Sequence, residues 1–160
     1  MLFRSFRGEA LAAIAAVSDL SLTSRTASQP HAMQLQARTG EIKPMARGVG
    51  TTVEVKELFF TTPARRKFLK ATATELAHCL ESLKRHALAR PDVGFALWHD
   101  GKCVAQWRAH DHAAGFDLRL ADVLGSSFVD QSLPVQLSQT GWKVRDRKST
   151  RLNSSHANIS

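Results

Sequence analysis

Apolar and polar residues alternate in four short stretches near the start of the chain, which is the pattern of half-buried β-strands. Leu20–Thr26, Met33–Ala37 and Thr51–Val55 alternate clearly. Ile42–Ala46 alternates weakly around Pro44, which marks an edge strand. Together these four stretches predict an antiparallel meander.

Helical periodicity follows in three places. The alanine-rich residues 8–17 predict a short buried helix. A capping box at Thr72–Glu75 predicts the start of a second helix, which stops before Pro91. Asp117 is predicted to cap a third helix, which Gly125 ends. The buried stripe of the second helix is predicted at Leu76, Cys79, Leu80, Leu83 and Ala87.

Two apolar stretches, 95–98 and 103–107, flank an Asp-Gly turn and predict a β-hairpin in which Trp98 faces Trp107. A polar linker at 109–116 predicts a domain boundary, and a strand is expected at 133–137. The order helix, strands, helix, hairpin predicts an α+β fold built as a layer sandwich.

The chain has 160 residues and a formal net charge of +8, which favours a polyanionic partner. Cys79 and Cys103 lie far apart without a CxxC pattern, so they predict neither a zinc site nor a disulfide framework. The seven histidines form no metal-ligand pattern. No apolar run approaches the roughly 18 residues of a membrane-spanning helix.

The stretch from Gly48 to Leu69 carries most of the candidate chemistry. A glycine turn leads into the last strand, and Thr61 or Thr62 can then cap a helix whose first residue is Pro63. A run of cations begins this helix, where they oppose the helix dipole. A solvated helix face and a phosphate-facing surface both explain this run. The candidate DNA-phosphate contacts are Arg65, Arg66, Lys67, Lys70, Lys84 and Arg85.

Two further motifs suit a nucleotide, although each also fits a plain structural role. Phe6–Leu11 opens a helix, and its glycine, free N–H groups and Arg7 would suit phosphate oxygens. Gly50–Thr52 is a turn into a strand, whose hydroxyls could bond an adenine edge directly or through water.

GVGTTVEVKELFFTTPARRKFLK resembles the GTTxEVxxLFxNTPARxKFL signature of the MutL family of DNA mismatch-repair ATPases, and FRGEAL resembles that family's GFRGEAL motif. The resemblance covers roughly residues 6–145. It implies a partial two-layer α/β sandwich of the ATPase domain over 6–108, a linker at 109–116, and the start of a ribosomal-protein-like βαβ domain over 117–145. The nucleotide contacts that it implies are Arg7, Gly8, Glu9, Ala10, Leu11 and Thr51.

The resemblance also implies cofactors and partners. These are ATP and Mg²⁺, DNA held through its phosphate backbone, a second copy in a homodimer, a mismatch-recognition protein, and a downstream nuclease or helicase. The expected location is the bacterial cytoplasm, in association with the nucleoid. The family's general-base glutamate, magnesium-binding asparagine and Asp-x-Gly-x-Gly loop precede the GFRGEAL motif, so we expect this chain to be inactive alone although its parent hydrolyses ATP.

The two ends of the sequence predict foreign segments. Residues 1–5 depart from the family pattern, and residues 146–160, rich in Ser and Asn, predict a disordered non-native tail. Two alternatives to the mismatch-repair interpretation stay open: a basic nucleic-acid-binding module without a nucleotide role, and an ATPase of the same superfamily of the topoisomerase or chaperone type. Whether the parent carries an endonuclease domain is left open by the sequence.

Overall fold

The computed structural model of the chain describes residues 9–110, 115–140 and 142–149. The helices are α1 (Ala10–Ala15), α2 (Pro63–Arg66), α3 (Thr72–Ala89), α4 (Gly115–Leu124) and α5 (Ser126–Asp130). The strands are β1 (Asp19–Arg25), β2 (Ala32–Gln36), β3 (Ile42–Met45), β4 (Gly50–Lys56), β5 (Phe95–His99), β6 (Lys102–Trp107), β7 (Ser132–Gln139) and β8 (Trp142–Ser149). The predicted leader at 1–5 and the tail beyond 149 lie outside the described residues.

The first four strands form one antiparallel sheet in the order β3-β2-β1-β4. The meander prediction is confirmed for β1 to β3 and wrong for β4, which pairs with β1 at the opposite edge. This strand order, with the fourth strand beside the first, is that of a Greek key, although the connection from β3 to β4 here is short. Local alternation specifies each strand but does not specify this distant partner.

One face of this sheet is apolar and is partly covered by α1. Leu20 is buried, with Val55 opposite it on β4, and Leu22 lies opposite Val53. The prediction of a buried first helix is wrong, because no residue of α1 is buried and Leu11 is 43% exposed.

The turn between β4 and α2 has an unusual backbone. Glu57 and Phe59 have positive φ values of 49° and 66°, a region that non-glycine residues seldom adopt. Thr62 occupies the N-cap of α2 and Pro63 the first position, as predicted, but no side chain caps the helix. The hydroxyl of Thr61 instead donates to the carbonyl of Ala16 at 3.3 Å.

The long helix α3 ends before Pro91 as predicted, but its start differs from the prediction. The capping box is wrong, because Ala71 is the N-cap and Thr72 already lies inside the helix. Of the predicted stripe, Ala87 is fully buried and Cys79 is exposed.

The predicted hairpin is confirmed as β5 and β6, joined through Asp100 and Gly101, both with positive φ. The prediction that the two tryptophans face each other is wrong, because Trp107 pairs with Phe95, and Trp98 pairs with Cys103 after a register irregularity at Leu97 and Trp98.

The helix predicted to start at Asp117 begins at Gly115, so Asp117 lies in its first turn. Gly125 ends this helix with φ of 93° and bonds the carbonyl of Ala121 at 2.9 Å. The strands β7 and β8 then pair antiparallel along their whole length. The described residues from 115 onwards contain α4, α5 and this antiparallel hairpin, and the start of a ribosomal-protein-like βαβ domain there stays a prediction.

The disorder predicted from residue 146 is wrong for Asp146–Ser149, which belong to β8. The side chain of Arg147 explains part of this order, because its guanidinium binds Asp117 Oδ1 at 2.8 Å and is only 8% exposed. It also donates to the carbonyls of Val129 and Ser132.

The chain divides into two compact units, residues 1–70 and 71–160. The first holds the four-stranded sheet, and the second holds α3 to α5 and the two hairpins. The predicted linker at 109–116 lies inside the second unit, and a domain boundary there stays a prediction.

Candidate functional site

Thr51 lies at the start of β4, directly after a turn that Arg47 closes. Gly50 has φ of 129°, and a Cβ on it would lie 2.9 Å from Arg47 Nη1. Arg47 donates from Nε to Thr52 Oγ1 at 2.9 Å and from Nη1 to the Gly48 carbonyl at 3.3 Å. Glycine at position 50 is therefore favoured by the backbone conformation, whereas the arginine side chain could move aside for a Cβ.

The exposed hydroxyl of Thr51 is positioned by Ser24 on the neighbouring strand. The β1–β4 register pairs the two residues, and their hydroxyl oxygens lie 2.9 Å apart, with either able to donate. A hydroxyl has one donor and two acceptor positions, so the bond to Ser24 leaves Thr51 able to bind a ligand.

The helix α1 carries the described part of the FRGEAL motif. Glu9 is its N-cap, and the Glu9 carbonyl accepts a bond from the Ala13 N–H at 2.9 Å. Ala10 and Leu11 form its first turn, while Arg7 and Gly8 lie outside the described residues. A cavity of about 410 Å³ lies against the helix, lined by Leu11, Ala12, Ala15, Leu20, Leu22, Leu35 and Ala37.

Thr51 and α1 share one face of the first sheet. Side chains alternate along a strand, so Ser24 shares a face of β1 with Leu22 and Leu20. Those two leucines line the cavity against α1, and Ser24 bonds Thr51. The fold thus brings two of the sequence-predicted nucleotide elements to the same side of the sheet.

The basic residues of the first unit lie in and just after α2. Arg65 and Arg66 are exposed in this four-residue helix, and the exposed Lys67 and Lys70 follow it. The helix-dipole argument for these cations is wrong, because a single turn puts both arginines in its last turn as well as near its start. Within the described part of the chain, neither arginine nor Lys67 forms an ion pair.

The remaining basic candidates, Lys84 and Arg85, lie on α3 in the second unit. Lys84 Nζ binds Glu81 Oε1 at 2.8 Å, one turn back along the helix. This bond, and the charge of Lys84, lower the pKa of the Glu81 carboxyl below its usual value. Glu81 thus pairs with Lys84 at i, i+3, and Arg85 stays exposed.

A second, polar cavity of about 310 Å³ lies between β6 and α4, lined by Gln106, Trp107, Arg108, His110 and Asp122. His110 Nε2 lies 2.7 Å from Asp122 Oδ2, and Trp107 Nε1 donates to the Asp122 carbonyl at 3.1 Å. The histidine of the predicted linker is thus half-buried and paired with a carboxylate.

Metal binding and membrane spanning were searched over the described ranges. No group of three or more His, Cys, Asp or Glu side chains there could hold a metal ion. No helix in this part of the chain is long and apolar enough to cross a bilayer.

The relatives found by comparison with known proteins share one name. The chain is 55% identical over 131 residues to the DNA mismatch repair protein MutL of Ralstonia nicotianae, and 53% identical over 135 residues to that of Aeromonas hydrophila. Each match covers 82% of this chain. The chain belongs to the MutL family. It spans about a fifth of the length of these MutL relatives, with 20% and 22% of them covered.

Solved structures agree with the sequence relatives. The Aquifex aeolicus MutL ATPase domain complexed with ADP superposes with a TM-score of 0.69 at 31% identity, over 81% of this chain and 52% of that one. A second structure of the Aquifex aeolicus MutL ATPase domain covers 92% of this chain with a TM-score of 0.66 at 25% identity. No protein-family model matches the chain. The predicted mixed α/β fold of the MutL ATPase type is confirmed.

Two residues beside the candidate site were missed by the MutL signature. Ser24 and Arg47 hold Thr51 and its turn, yet neither belongs to the motifs that carried the resemblance. The register that pairs β1 with β4 would have found Ser24. Nothing in the local pattern around Arg47 indicates that its side chain folds back over Gly50.

Proposed function

We propose that this chain forms part of the ATP-binding and DNA-binding region of a mismatch-repair ATPase. The observation that carries the nucleotide role is the position of α1 and Thr51 on one face of the first sheet. The likeness to a MutL ATPase domain complexed with ADP supports the same role.

In this proposal the hydroxyl of Thr51 forms a hydrogen bond with the adenine edge, directly or through a water molecule. Its hydroxyl suits that task because Ser24 fixes it at the exposed start of β4. Glu9, Ala10 and Leu11 at the start of α1 would contact the phosphates, and Arg7 and Gly8 are proposed as further contacts.

Magnesium would accompany ATP as a Lewis acid on the phosphate oxygens. The described residues offer no cluster of acidic and histidine side chains for it. We therefore assign none of them to the ion, and the chemistry of hydrolysis is not attributed to any residue of this chain.

The DNA role rests on cations in both units, all exposed except the partly buried Lys84, which would hold phosphates without reading the base sequence. The proposed contacts are Arg65, Arg66, Lys67, Lys70, Lys84 and Arg85. The parent would act as a homodimer, with a mismatch-recognition protein and a downstream nuclease or helicase as partners.

The nucleotide role can be tested in a chimera. The segment corresponding to this chain replaces its counterpart in the full-length Ralstonia nicotianae relative, and binding of a fluorescent ATP analogue is measured by anisotropy. Thr51→Val removes the hydroxyl and keeps the shape, and Thr51→Ser is the matched control. We expect Thr51→Val to weaken binding about 3- to 10-fold, in keeping with one neutral hydrogen bond, and Thr51→Ser to bind almost normally.

Equal affinity of the chimera and both variants would reject the role of Thr51. Failure of the chimera to bind nucleotide, alongside normal DNA binding, would instead favour the basic module without a nucleotide role. That alternative is kept because Arg65, Arg66 and Lys67, which form no ion pair in the described part of the chain, suit a polyanion even without ATP.

The DNA role is tested through its dependence on salt. Each phosphate contact adds about 0.9 to the slope of log affinity against log salt concentration for duplex DNA. Lys70→Glu and Arg85→Glu should each weaken binding and lower this slope by about 1. Lys43→Glu and Lys102→Glu make the same charge change at exposed positions outside the proposed contacts, and they should have smaller effects.

A further inference from the structure

Arg25, the last residue of β1, links the β1–β2 loop to the β3–β4 loop. Its Nε donates to the Gln29 carbonyl at 3.1 Å, and its Nη1 donates to the Arg47 carbonyl at 3.3 Å. The first acceptor lies between β1 and β2, and the second lies between β3 and β4, just before Thr51. One partly buried guanidinium therefore ties together two loops that are separate in the sequence.

Each of these loops is also held by bonds of its own. In the β1–β2 loop, the Gln29 N–H donates to the Thr26 carbonyl at 3.2 Å, and the Thr26 N–H donates to Gln29 Oε1 at 3.1 Å. In the β3–β4 loop, Arg47 Nε donates to Thr52 Oγ1 at 2.9 Å. The guanidinium thus connects two loops that already have a defined shape, so the position of one constrains the position of the other.

The link lies on the opposite face of the sheet from Thr51. Thr51 pairs with Ser24, and Thr52 pairs with Thr23. Since successive side chains of a strand point to opposite faces, Arg25 shares the face of Thr23 and Thr52. A ligand bound by Thr51 would therefore lie on the other side of the sheet, and an effect of Arg25 on that ligand has to pass through the backbone of β4.

We propose that Arg25 is a positioning residue for the nucleotide, because through Arg47 it fixes the start of β4 and so directs the Thr51 hydroxyl towards the adenine edge. This inference rests on the proposed nucleotide role and adds to it a residue that does not touch the ligand. The register places Arg25 opposite Gly50, the residue before Thr51, whose φ is 129°. Glycine allows many backbone conformations, so a fixed direction for the residue that follows it needs support from outside the turn.

The rest of the parent's ATPase domain is compatible with this role. The chain covers 52% of the Aquifex aeolicus MutL ATPase domain complexed with ADP, so further segments of such a domain can pack against this sheet. Packing of that kind does not require the bonds of Arg25 to break, because their donors and acceptors already satisfy one another within the first unit. The test is therefore made with the complete domain present.

The test uses the full-length chimera and a ribose-labelled fluorescent ATP analogue, with binding measured by anisotropy. Arg25→Met removes both donors and keeps the apolar part of the side chain. We expect it to weaken binding about 2- to 5-fold, less than Thr51→Val, because it displaces the hydroxyl instead of removing it. Arg25→Lys keeps the charge without the forked donors and should fall between wild type and Arg25→Met. Arg38→Met is the matched control and should bind normally, since it removes an exposed arginine from the same unit.

A double-mutant cycle separates positioning from a general effect on the protein. In the Thr51→Val background, Arg25→Met should cause no further loss of affinity, because the hydroxyl that it positions is already absent. Arg47→Met removes the bond to Thr52 and leaves Arg25 in place, so it should follow the same pattern. Circular dichroism shows which variants are folded, and Arg47→Met and Arg25→Lys carry the test if Arg25→Met is not.

The results that would overturn the inference differ from one another. Unchanged affinity in Arg25→Met, alongside a loss in Thr51→Val, rejects the positioning role and leaves the proposed nucleotide role intact. An equal loss from Arg25→Met in both backgrounds means that the residue acts through folding or net charge and not through Thr51. No loss in Thr51→Val removes the proposed role of Thr51 and the positioning role with it.

Discussion

Arg119 carries a buried charge whose hydrogen-bond partners in the described part of the chain are all carbonyl groups, and replacing it should strongly destabilise the second unit. The side chain is fully buried. Its guanidinium donates to the carbonyl oxygens of Ala87, Pro91, Val93 and Arg108, at 3.4, 3.2, 2.8 and 2.6 Å. These acceptors come from the end of α3, the segment before β5 and the segment after β6. One side chain therefore holds three segments together.

The size of the effect follows from these bonds. The two shortest, to Val93 and Arg108, have the lengths of charge-assisted hydrogen bonds. The bond to Ala87 is buried and the other three are partly buried, and a buried acceptor left without a donor costs about 1–3 kcal/mol. The guanidinium carbon also lies 5.7 Å from the Phe95 ring centroid, while the buried Nε lacks a partner. The contact with the ring stabilises the arginine and the unpaired Nε destabilises it, so these two effects offset each other. We expect Arg119→Met to lower the free energy of unfolding by about 3–5 kcal/mol.

Urea unfolding followed by tryptophan fluorescence measures this loss. All three tryptophans, Trp98, Trp107 and Trp142, belong to the second unit, so their emission reports on that unit. Arg108→Met is the control, because it removes an exposed cation from the same unit. Arg119→Lys should fall between wild type and Arg119→Met, since an ammonium keeps the charge and has fewer donors.

An unchanged unfolding midpoint for Arg119→Met, at unchanged slope, would refute this reasoning. It would mean that water molecules hydrogen-bond to the carbonyl groups when the guanidinium is removed. An equal loss in Arg108→Met would also contradict the argument, because the effect would then follow net charge alone.

Three other predictions concern single groups. Lys84→Met should raise the pKa of Glu81 towards its usual value, which carboxyl NMR titration measures. In the wild type, the lowered pKa of Glu81 stabilises the fold at pH above the unfolded-state pKa, and this contribution is lost as pH falls through the folded-state pKa. Gly125→Ala should cost about 1–3 kcal/mol because φ there is 93°, and Gly94→Ala, which meets only ordinary contacts, should cost less in the same urea assay. Arg147→Met should cost about 1–3 kcal/mol if β8 belongs to the folded unit, and an unchanged midpoint would contradict that assignment.

The elements that local pattern specifies were predictable, and those that depend on distant partners were not. Alternation located the first four strands, and the Asp-Gly turn located the hairpin between Phe95 and Trp107. The pairing of β4 with β1 depends on the path of the chain between them. The capping box failed because helical structure already includes Thr72, which leaves Ala71 as the cap.

Residues of the candidate site could be predicted only where they belong to a recognisable sequence motif. The glycine turn and Thr51 were predicted because adjacent residue types indicate both features: a glycine for the positive φ of the turn and a threonine for the hydroxyl. Ser24 could not be found in this way, because its contact with Thr51 spans 27 residues of sequence. The ion pair of Lys84 was missed because Glu81 has two cations within one turn, and sequence alone does not decide between them.

The contacts of Arg119 also bear on how the predicted linker should be understood. Polar composition placed a boundary at 109–116, with Arg119 on one side and Arg108 on the other. The side chain of Arg119 nevertheless binds the Arg108 carbonyl at 2.6 Å and the Val93 carbonyl at 2.8 Å. A rotation of α4 away from the β5–β6 hairpin would break both of these part-buried hydrogen bonds. A polar linker in the sequence therefore does not imply a hinge, because one buried guanidinium can couple the elements on either side.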